Sequence, residues 1–147
     1  MDPRPHQPEA VAQRHGLRAA VADLTEVAKR PVVASTWAAR VLEALAALRT
    51  ALARHAEFTQ APDGLFADVV AQAPRLVNAV RHLEAEHEDL ADRLTGCEAV
   101  VRGLDGEGSV EPALASIHDL VAHFERHQDR GVELVYDAYN VDISPGD

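Results

Sequence analysis

Residues 76–94 have the sequence LVNAVRHLEAEHEDLADRL, and this stretch decides the fold class. Its apolar side chains recur at alternating spacings of four and three residues, and a histidine takes one of these positions. The members of the stripe are Leu76, Val80, Leu83, His87, Leu90 and Leu94. This spacing places all of them on one face of an α-helix. The stretch therefore predicts a helix whose buried face includes an imidazole, which must find a hydrogen-bond partner or a metal ion.

Two other segments repeat the same pattern, and each again includes a histidine. The first stripe consists of Val41, Leu45, Leu48, Leu52 and His55. The second consists of Ile117, Leu120, Phe124, His127, Gly131 and Leu134. Stripes of this kind are typical of helices that pack around a shared core. We therefore expect several histidines inside or beside that core.

The positions of proline and glycine divide the chain into four long predicted helices over residues 8–29, 36–59, 74–101 and 110–139. A short helix is expected over residues 65–72. Ser35 is the predicted N-cap of the second long helix, and Pro74 is the predicted first residue of the third. Because no alternating β-branched run predicts a strand, we expect an all-α, antiparallel four-helix bundle. The predicted bundle is a single domain, 1–147, with a leader (1–7) and a tail (140–147) outside it.

Composition narrows the classes of function. Hydrophobic residues make up 47% of the chain but aromatic residues only 4%, so the core must consist of Leu, Val and Ala, which favour helices. The net charge of -10 opposes binding to a phosphate backbone, so we expect no nucleic-acid partner. Apolar runs are far shorter than the roughly 20 residues that span a bilayer, so we expect no membrane partner and a cytoplasmic location. The single lysine and the abundant alanine suggest a bacterial source.

The spacing of the histidines predicts where they meet. In an antiparallel hairpin, His87, 14 residues before position 101, faces His123, 13 residues after position 110. His127 lies one turn further along the same helix face. The candidate metal ligands are His55, His87, His123 and His127, which together suit one Zn²⁺ or Fe²⁺. Glu86 and Asp119 point away from these faces and are expected only as outer partners of the rings.

Three segments of the chain resemble hemerythrin-like (HHE cation-binding) domains. They are residues 54–66, which include His55; residues 83–90, which include His87; and residues 123–127 with 134–139. The resemblance covers roughly residues 36–142. It implies a four-helix bundle that carries a non-haem di-iron centre, and functions that include oxygen binding and redox or iron sensing.

The metal ligands of that family are not all present in this chain. The resemblance implies a glutamate four residues after His55, where Thr59 stands. It implies a second histidine four residues from His87, where Leu83 and Ala91 stand, and an aspartate five residues after His123, where Gln128 stands. Because bridging carboxylates neutralise and space the two irons, we predict a diverged member of the family without an intact di-iron centre.

Two functions are compatible with these observations. The first is a binding or regulatory module that kept the bundle and lost its metal centre, with no cofactor and an unidentified protein partner. The second is a sensor or carrier that binds one iron or zinc ion through its core histidines. No Ser/His/Asp set, Gly-rich phosphate loop or paired-carboxylate motif indicates catalysis, so we do not expect an enzyme.

Overall fold

The computed structural model describes residues 7–29, 34–104 and 108–140, with side chains described for residues 16–29, 36–104 and 108–140. The helices are α1 (Gln7–Ala28), α2 (Ala34–Gln60), α3 (Leu65–Gln72), α4 (Val77–Arg102) and α5 (Glu111–Asn140), with a 3₁₀ turn at Pro74–Leu76. The described part of the chain contains no strand. The predicted leader and tail lie outside the described residues, except that Gln7 belongs to α1 and Asn140 to α5.

The four long helices α1, α2, α4 and α5 pack as a closed bundle in which α1 contacts α2 and α5, and α4 contacts the same two helices. The start of α2 is held to the end of α1, because the Trp37 indole N–H donates to the Ala28 carbonyl oxygen over 3.2 Å. Arg49 of α2 contacts Glu98 near the end of α4. The arrangement confirms the predicted all-α four-helix bundle.

The direction of the helices follows from pairs of contacts between α4 and α5. Arg93 Nη1 lies 3.5 Å from Asp119 Oδ2, whereas Glu86 Oε1 lies 2.7 Å from His127 Nδ1. Residue numbers therefore fall along α4 as they rise along α5, so these two helices are antiparallel, as short connections in helix bundles require.

Two of the predicted helix boundaries are wrong in detail. Helix α2 begins at Ala34, so Ser35 lies inside the helix rather than at its N-cap. The third long helix does not begin at Pro74, because residues 74–76 form a tighter 3₁₀ turn before α4. Leu76 consequently leaves the regular helical stripe and is only partly buried, although it was predicted in the core.

The turn after α2 depends on a glycine. Gly64 is buried, and its N–H donates to the Ala61 carbonyl oxygen over 2.8 Å. A Cβ added at Gly64 would lie 2.5 Å from the Phe58 carbonyl oxygen, closer than side-chain atoms tolerate. This close backbone approach allows the chain to reverse and lay α3 across one end of the bundle.

Two groups of buried side chains form the core. The larger, which we call the apolar cluster, runs from α1 to α5 and includes Leu24, Trp37, Leu45, Leu48, Leu90, Leu94, Ile117, Leu120 and Phe124. The smaller, the α3 cluster, consists of Phe66, Val69, Ala73, Val80, Leu83, Leu134 and Ala138. Every Leu, Val, Ile and Phe of the three predicted stripes except Leu76 is buried in one cluster or the other. No helix in the described part of the chain is long and apolar enough to cross a bilayer.

Candidate metal centre

Three helices bring three imidazoles together between the two clusters. His55 of α2, His87 of α4 and His127 of α5 each offer one ring nitrogen, and these atoms lie within 4.8 Å of one another. The ring centroids are separated by 5.1 Å for His55 and His87, 5.4 Å for His55 and His127, and 4.9 Å for His87 and His127. We call these three residues the histidine layer.

Each of these histidines occupies a position of its helix stripe that otherwise holds apolar residues. On α4, His87 stands between Leu83 of the α3 cluster and Leu90 of the apolar cluster. His127 and His87 are 3% and 5% exposed, so helix packing has removed most of the water from both rings. The histidine layer is thus a polar slice through a bundle whose adjoining slices are apolar.

Two of the three rings have hydrogen-bond partners at Nδ1. The His87 Nδ1–H donates to Gln60 Oε1 over 2.6 Å, and the His127 Nδ1–H donates to Glu86 Oε1 over 2.7 Å. A neutral imidazole carries one ring hydrogen, so these bonds leave Nε2 of both rings with a free lone pair. This tautomer is the one in which Nε2 can bind a metal ion.

The third ring contacts the second directly. Nε2 of His55 lies 3.3 Å from Nε2 of His127, which carries no hydrogen in the tautomer above, so His55 is the donor. His87 Nε2 and His55 Nδ1 are buried and find no hydrogen-bond partner among the described residues. Buried polar atoms without partners are rare and unfavourable, so these two nitrogens are available to a ligand.

All three rings are held in the neutral form. Burial, with smaller contributions from the neighbouring His55 and His127, lowers the pKa of His87 to about 3. Burial also lowers the pKa of His55 to about 4, with a smaller contribution from His127, and burial alone lowers the pKa of His127 to about 4. Metal ions bind the neutral ring, so the histidine layer has the correct charge state at neutral pH.

Glu86 brings a carboxylate into contact with the histidine layer. Its Oε1 accepts from His127, whereas its Oε2 pairs with Arg130 of α5 and lies 3.4 Å from His82 Nε2. The ion pair with Arg130 balances the charge of Glu86, which is consistent with a neutral His127 beside it. The outer position predicted for Glu86 agrees with this geometry.

A small cavity adjoins the histidine layer on the side of α3. It has a volume of about 40 Å³ and is lined mainly by apolar side chains. Gly131 of α5 lines this cavity, and a Cβ added there would meet no atom within 4 Å. Phe66 of α3 also lines the cavity, and its ring stacks on the His87 ring with 6.1 Å between the ring centroids and an interplanar angle of 6°. Helix α3 therefore covers one end of the site with apolar surface.

The structure does not bring His123 into the group. His123 Nδ1 lies 2.8 Å from the carbonyl oxygen of Asp119 on its own helix, and its side chain is 22% exposed. His87 faces His127 rather than the predicted His123, because α4 ends one residue after position 101 and α5 begins one residue after position 110, the positions from which the pairing was counted. His87 lies 15 residues before Arg102, the end of α4, and His127 lies 16 residues after Glu111, the start of α5.

Thr59 and Gln128, which stand where the family resemblance implied carboxylate ligands, have other environments. The Thr59 hydroxyl donates to the carbonyl oxygens of His55 and Ala56 in its own helix. Gln128 is buried beside the cavity. Neither side chain belongs to the group of nitrogens that converge in the histidine layer.

Gln60 and Phe66 also neighbour the site, although no sequence pattern predicted a contact for either. Gln60 is the last residue of α2, and its contact with His87 depends on where the helix ends. Phe66 reaches His87 because the turn at Gly64 folds α3 back across the bundle. The signal for both was local, namely the Ala-Pro-Asp-Gly turn at 61–64, but the direction in which the chain returns is a tertiary property.

Comparisons with known proteins agree with this architecture. The family model described as the hemerythrin HHE cation binding domain matches residues 9–136. The match includes α1. The resemblance seen in the sequence covers roughly residues 36–142 and does not include this helix. Comparisons with curated proteins and with solved structures returned no match. With a family model that spans α1 to α5 and the bundle described above, the chain belongs to the hemerythrin HHE cation-binding domain family.

Proposed function

We propose that this protein is a binding module that holds one transition-metal ion, zinc or ferrous iron, through His55, His87 and His127. The observation that carries the proposal is the convergence of three ring nitrogens from three helices within 4.8 Å. The family model describes a cation-binding domain, which supports a metal-binding role in general. We propose both the number of ions, which is one, and the set of three ligands.

The spacing of His55 and His127 fits one shared ion. With metal–nitrogen distances of about 2.0–2.1 Å and tetrahedral angles, two ligand nitrogens lie roughly 3.3–3.4 Å apart. Nε2 of His55 and Nε2 of His127 are separated by 3.3 Å. His87 Nε2, buried and without a partner among the described residues, is the third donor. Binding requires the His55 hydrogen to move from Nε2, where it donates to His127, to Nδ1, which has no partner among the described residues.

The donor set does not fit two ions. The group that converges contains three neutral imidazoles and no carboxylate, so two divalent ions would bring four positive charges into a buried site without a bridging anion. Thr59 cannot replace a carboxylate, because its hydroxyl is neutral and already bonded to the backbone. We therefore propose a mononuclear site in place of the di-iron centre that the family resemblance implies.

The ligand type favours borderline metals. Imidazole suits zinc, copper, iron and nickel, whereas magnesium, calcium and manganese prefer oxygen ligands. Zinc is the first choice, because ferrous sites commonly include a carboxylate beside two histidines. When bound, such an ion supplies a Lewis-acidic centre with at least one position that the three rings do not fill.

We propose binding rather than catalysis as the role of this site. The cavity beside it is lined by apolar side chains apart from its two histidines, Thr59 and Gln128. Thr59 is bonded to the backbone, and an amide is not a general base. Glu86 has both oxygens engaged by His127 and Arg130. A sensor or carrier in the bacterial cytoplasm, with a protein partner and no nucleic acid, remains our interpretation of the sequence.

A second candidate is a regulatory bundle that binds no metal. It is favoured by Thr59, Ala91 and Gln128, which stand where the family resemblance implied ligands. In this alternative the histidine layer is retained only through packing and through its bonds to Gln60 and Glu86. The two candidates differ in one measurable property, the metal content of the purified protein.

The test is metal stoichiometry. Protein purified without a histidine tag is analysed by mass spectrometry for bound metals and titrated with Zn²⁺ against a chromophoric chelator. We expect one equivalent per chain, lost in His87→Ala and His127→Ala. His123→Ala is the matched control and should retain full binding, since His123 lies outside the histidine layer. No binding by the wild type would favour the second candidate, and two equivalents of iron would contradict the mononuclear site.

A further inference from the structure

We propose that Glu86 is the residue that positions His127 for metal binding, and that the bound metal ion depends on it although it does not touch the ion. This inference rests on the proposed function, because it concerns a partner of the same site. The three rings of the histidine layer differ in the partner that each has at Nδ1. His87 bonds to a neutral amide, His127 bonds to a carboxylate, and His55 Nδ1 has no partner among the described residues.

The carboxylate selects one tautomer of His127. An acceptor-only group 2.7 Å from Nδ1 requires the ring hydrogen to reside on Nδ1, so the lone pair of Nε2 is directed at His55. Without this acceptor the hydrogen would be free to occupy Nε2 and block the metal-binding atom. Glu86 therefore determines which face of the ring is available as a ligand.

The carboxylate is itself held in place from the other helix. Glu86 Oε2 pairs with Arg130, which lies on α5 one turn beyond His127, and His82 Nε2 lies 3.4 Å from the same oxygen. The Glu86 side chain is 17% exposed, whereas Arg130 is 42% exposed. The contact with His127 thus joins α4 to α5 at the level of the histidine layer.

The negative charge of Glu86 should also favour the binding of a divalent metal ion. Three neutral rings leave the full charge of a divalent ion uncompensated in a buried site, and Glu86 is the carboxylate in contact with one of those rings. A carboxylate that accepts from a ligand imidazole also makes that ring a stronger donor. Loss of such an outer partner typically lowers metal affinity by about 10-fold to 100-fold.

The experiment compares three variants by Zn²⁺ competition and by the absorption of bound Co²⁺. Glu86→Ala should weaken Zn²⁺ binding by about 10-fold to 100-fold. Glu86→Gln, whose amide oxygen still accepts from Nδ1–H, should recover the part of this loss that comes from selecting the tautomer. Glu88→Ala removes the same charge from an exposed position of α4 and should bind like the wild type. Far-UV spectra and thermal melts confirm that each variant is folded.

A second readout uses the metal-free protein. The ¹⁵N shifts of the His127 ring should show Nδ1 protonated in the wild type and in Glu86→Gln, and a move of the hydrogen toward Nε2 in Glu86→Ala. The proposal is overturned if Glu86→Ala binds Zn²⁺ like Glu88→Ala, or if Glu86→Gln is no better than Glu86→Ala. If the wild type binds no metal, the proposed function fails, while the ring shifts still report whether Glu86 controls the tautomer.

Discussion

The apolar cluster and the histidine layer occupy successive slices of one bundle, yet they are stabilised differently. In the apolar cluster, side chains such as Leu45, Leu94 and Ile117 are fully buried, and burial alone is favourable whatever their orientation. In the histidine layer, equivalent stripe positions hold imidazoles, which lose water and require partners. Helix packing therefore decides where a side chain lies, whereas its chemistry decides whether that position adds stability or a binding site.

The partners available to the histidine layer are incomplete. Gln60 and Glu86 each satisfy one ring nitrogen, and the contact between His55 and His127 satisfies two more. His87 Nε2 and His55 Nδ1 remain without partners among the described residues. We therefore expect the histidine layer, and not the apolar cluster, to lower the free energy of unfolding of the metal-free protein.

The largest expected effect is a cavity in the apolar cluster. Leu94→Ala should lower the free energy of unfolding by about 2–5 kcal/mol, because Leu94 is fully buried and the surrounding helices cannot close the space. Urea denaturation of the metal-free protein measures the change. Leu94→Met, which keeps the volume, is the control and should cost less than about 1.5 kcal/mol. A loss below about 1 kcal/mol for Leu94→Ala would show that the packing here is loose.

Zinc should stabilise the wild type through the histidine layer alone. At a free Zn²⁺ concentration 100 times its Kd, we expect the free energy of unfolding to rise by about 2.7 kcal/mol. Leu94→Ala should gain the same increment, because the cavity lies outside the site. His127→Ala should gain none. Thermal melts with Zn²⁺ and with chelator test this comparison, and an increment that shrinks in Leu94→Ala would mean that the two slices are coupled.

Acid should weaken the metal-free protein through the same layer. The folded pKa of His87 is lowered to about 3, from an ordinary value of 6.5, so the unfolded chain binds the proton first as pH falls. The stability that this group contributes is present above pH 6.5 and is lost as pH falls toward 3. His87→Leu should therefore flatten the pH dependence between pH 6.5 and 5, by an amount that approaches about 1.4 kcal/mol per pH unit at the acidic end.

Urea denaturation in the presence of chelator at several pH values measures this slope. His118→Gln removes a histidine from an exposed position of α5 and serves as the control. An equal change of slope in both variants would show that His87 exchanges protons as freely as a surface residue.

The smallest effect concerns the cavity beside the histidine layer. Gly131→Ala places a methyl group where no atom lies within 4 Å and replaces a flexible residue inside α5, so it should stabilise the protein by about 0.4–1 kcal/mol. Gly96→Ala also meets no atom within 4 Å but lies on an exposed face of α4. Thermal melts of both variants are compared. Gly96→Ala measures the gain from replacing a glycine within a helix, and any difference for Gly131→Ala measures the effect of filling the cavity. Destabilisation by Gly131→Ala alone would mean that the cavity holds a molecule that the methyl group displaces.

Much of the architecture was predictable, because helix periodicity is a local property. The stripes containing His55, His87 and His127 identified three helix faces and nearly all of the core. The structure differs from the prediction where two local preferences compete. Leu76 left the core because the chain at Pro74 forms a tighter turn before α4 begins.

The spacing of residues along the chain predicts the helices, their buried faces and the imidazoles on those faces, because spacing along one helix specifies which side chains share a face. The contact of His87 with His127, and not with His123, depends on the packed bundle, because one turn of helix shifts a side chain by about 5.4 Å and loop length sets the level. The packed bundle also places Gln60, Glu86 and Phe66 around the rings. These contacts join residues from different helices, and the register between helices is set by packing rather than by any local pattern.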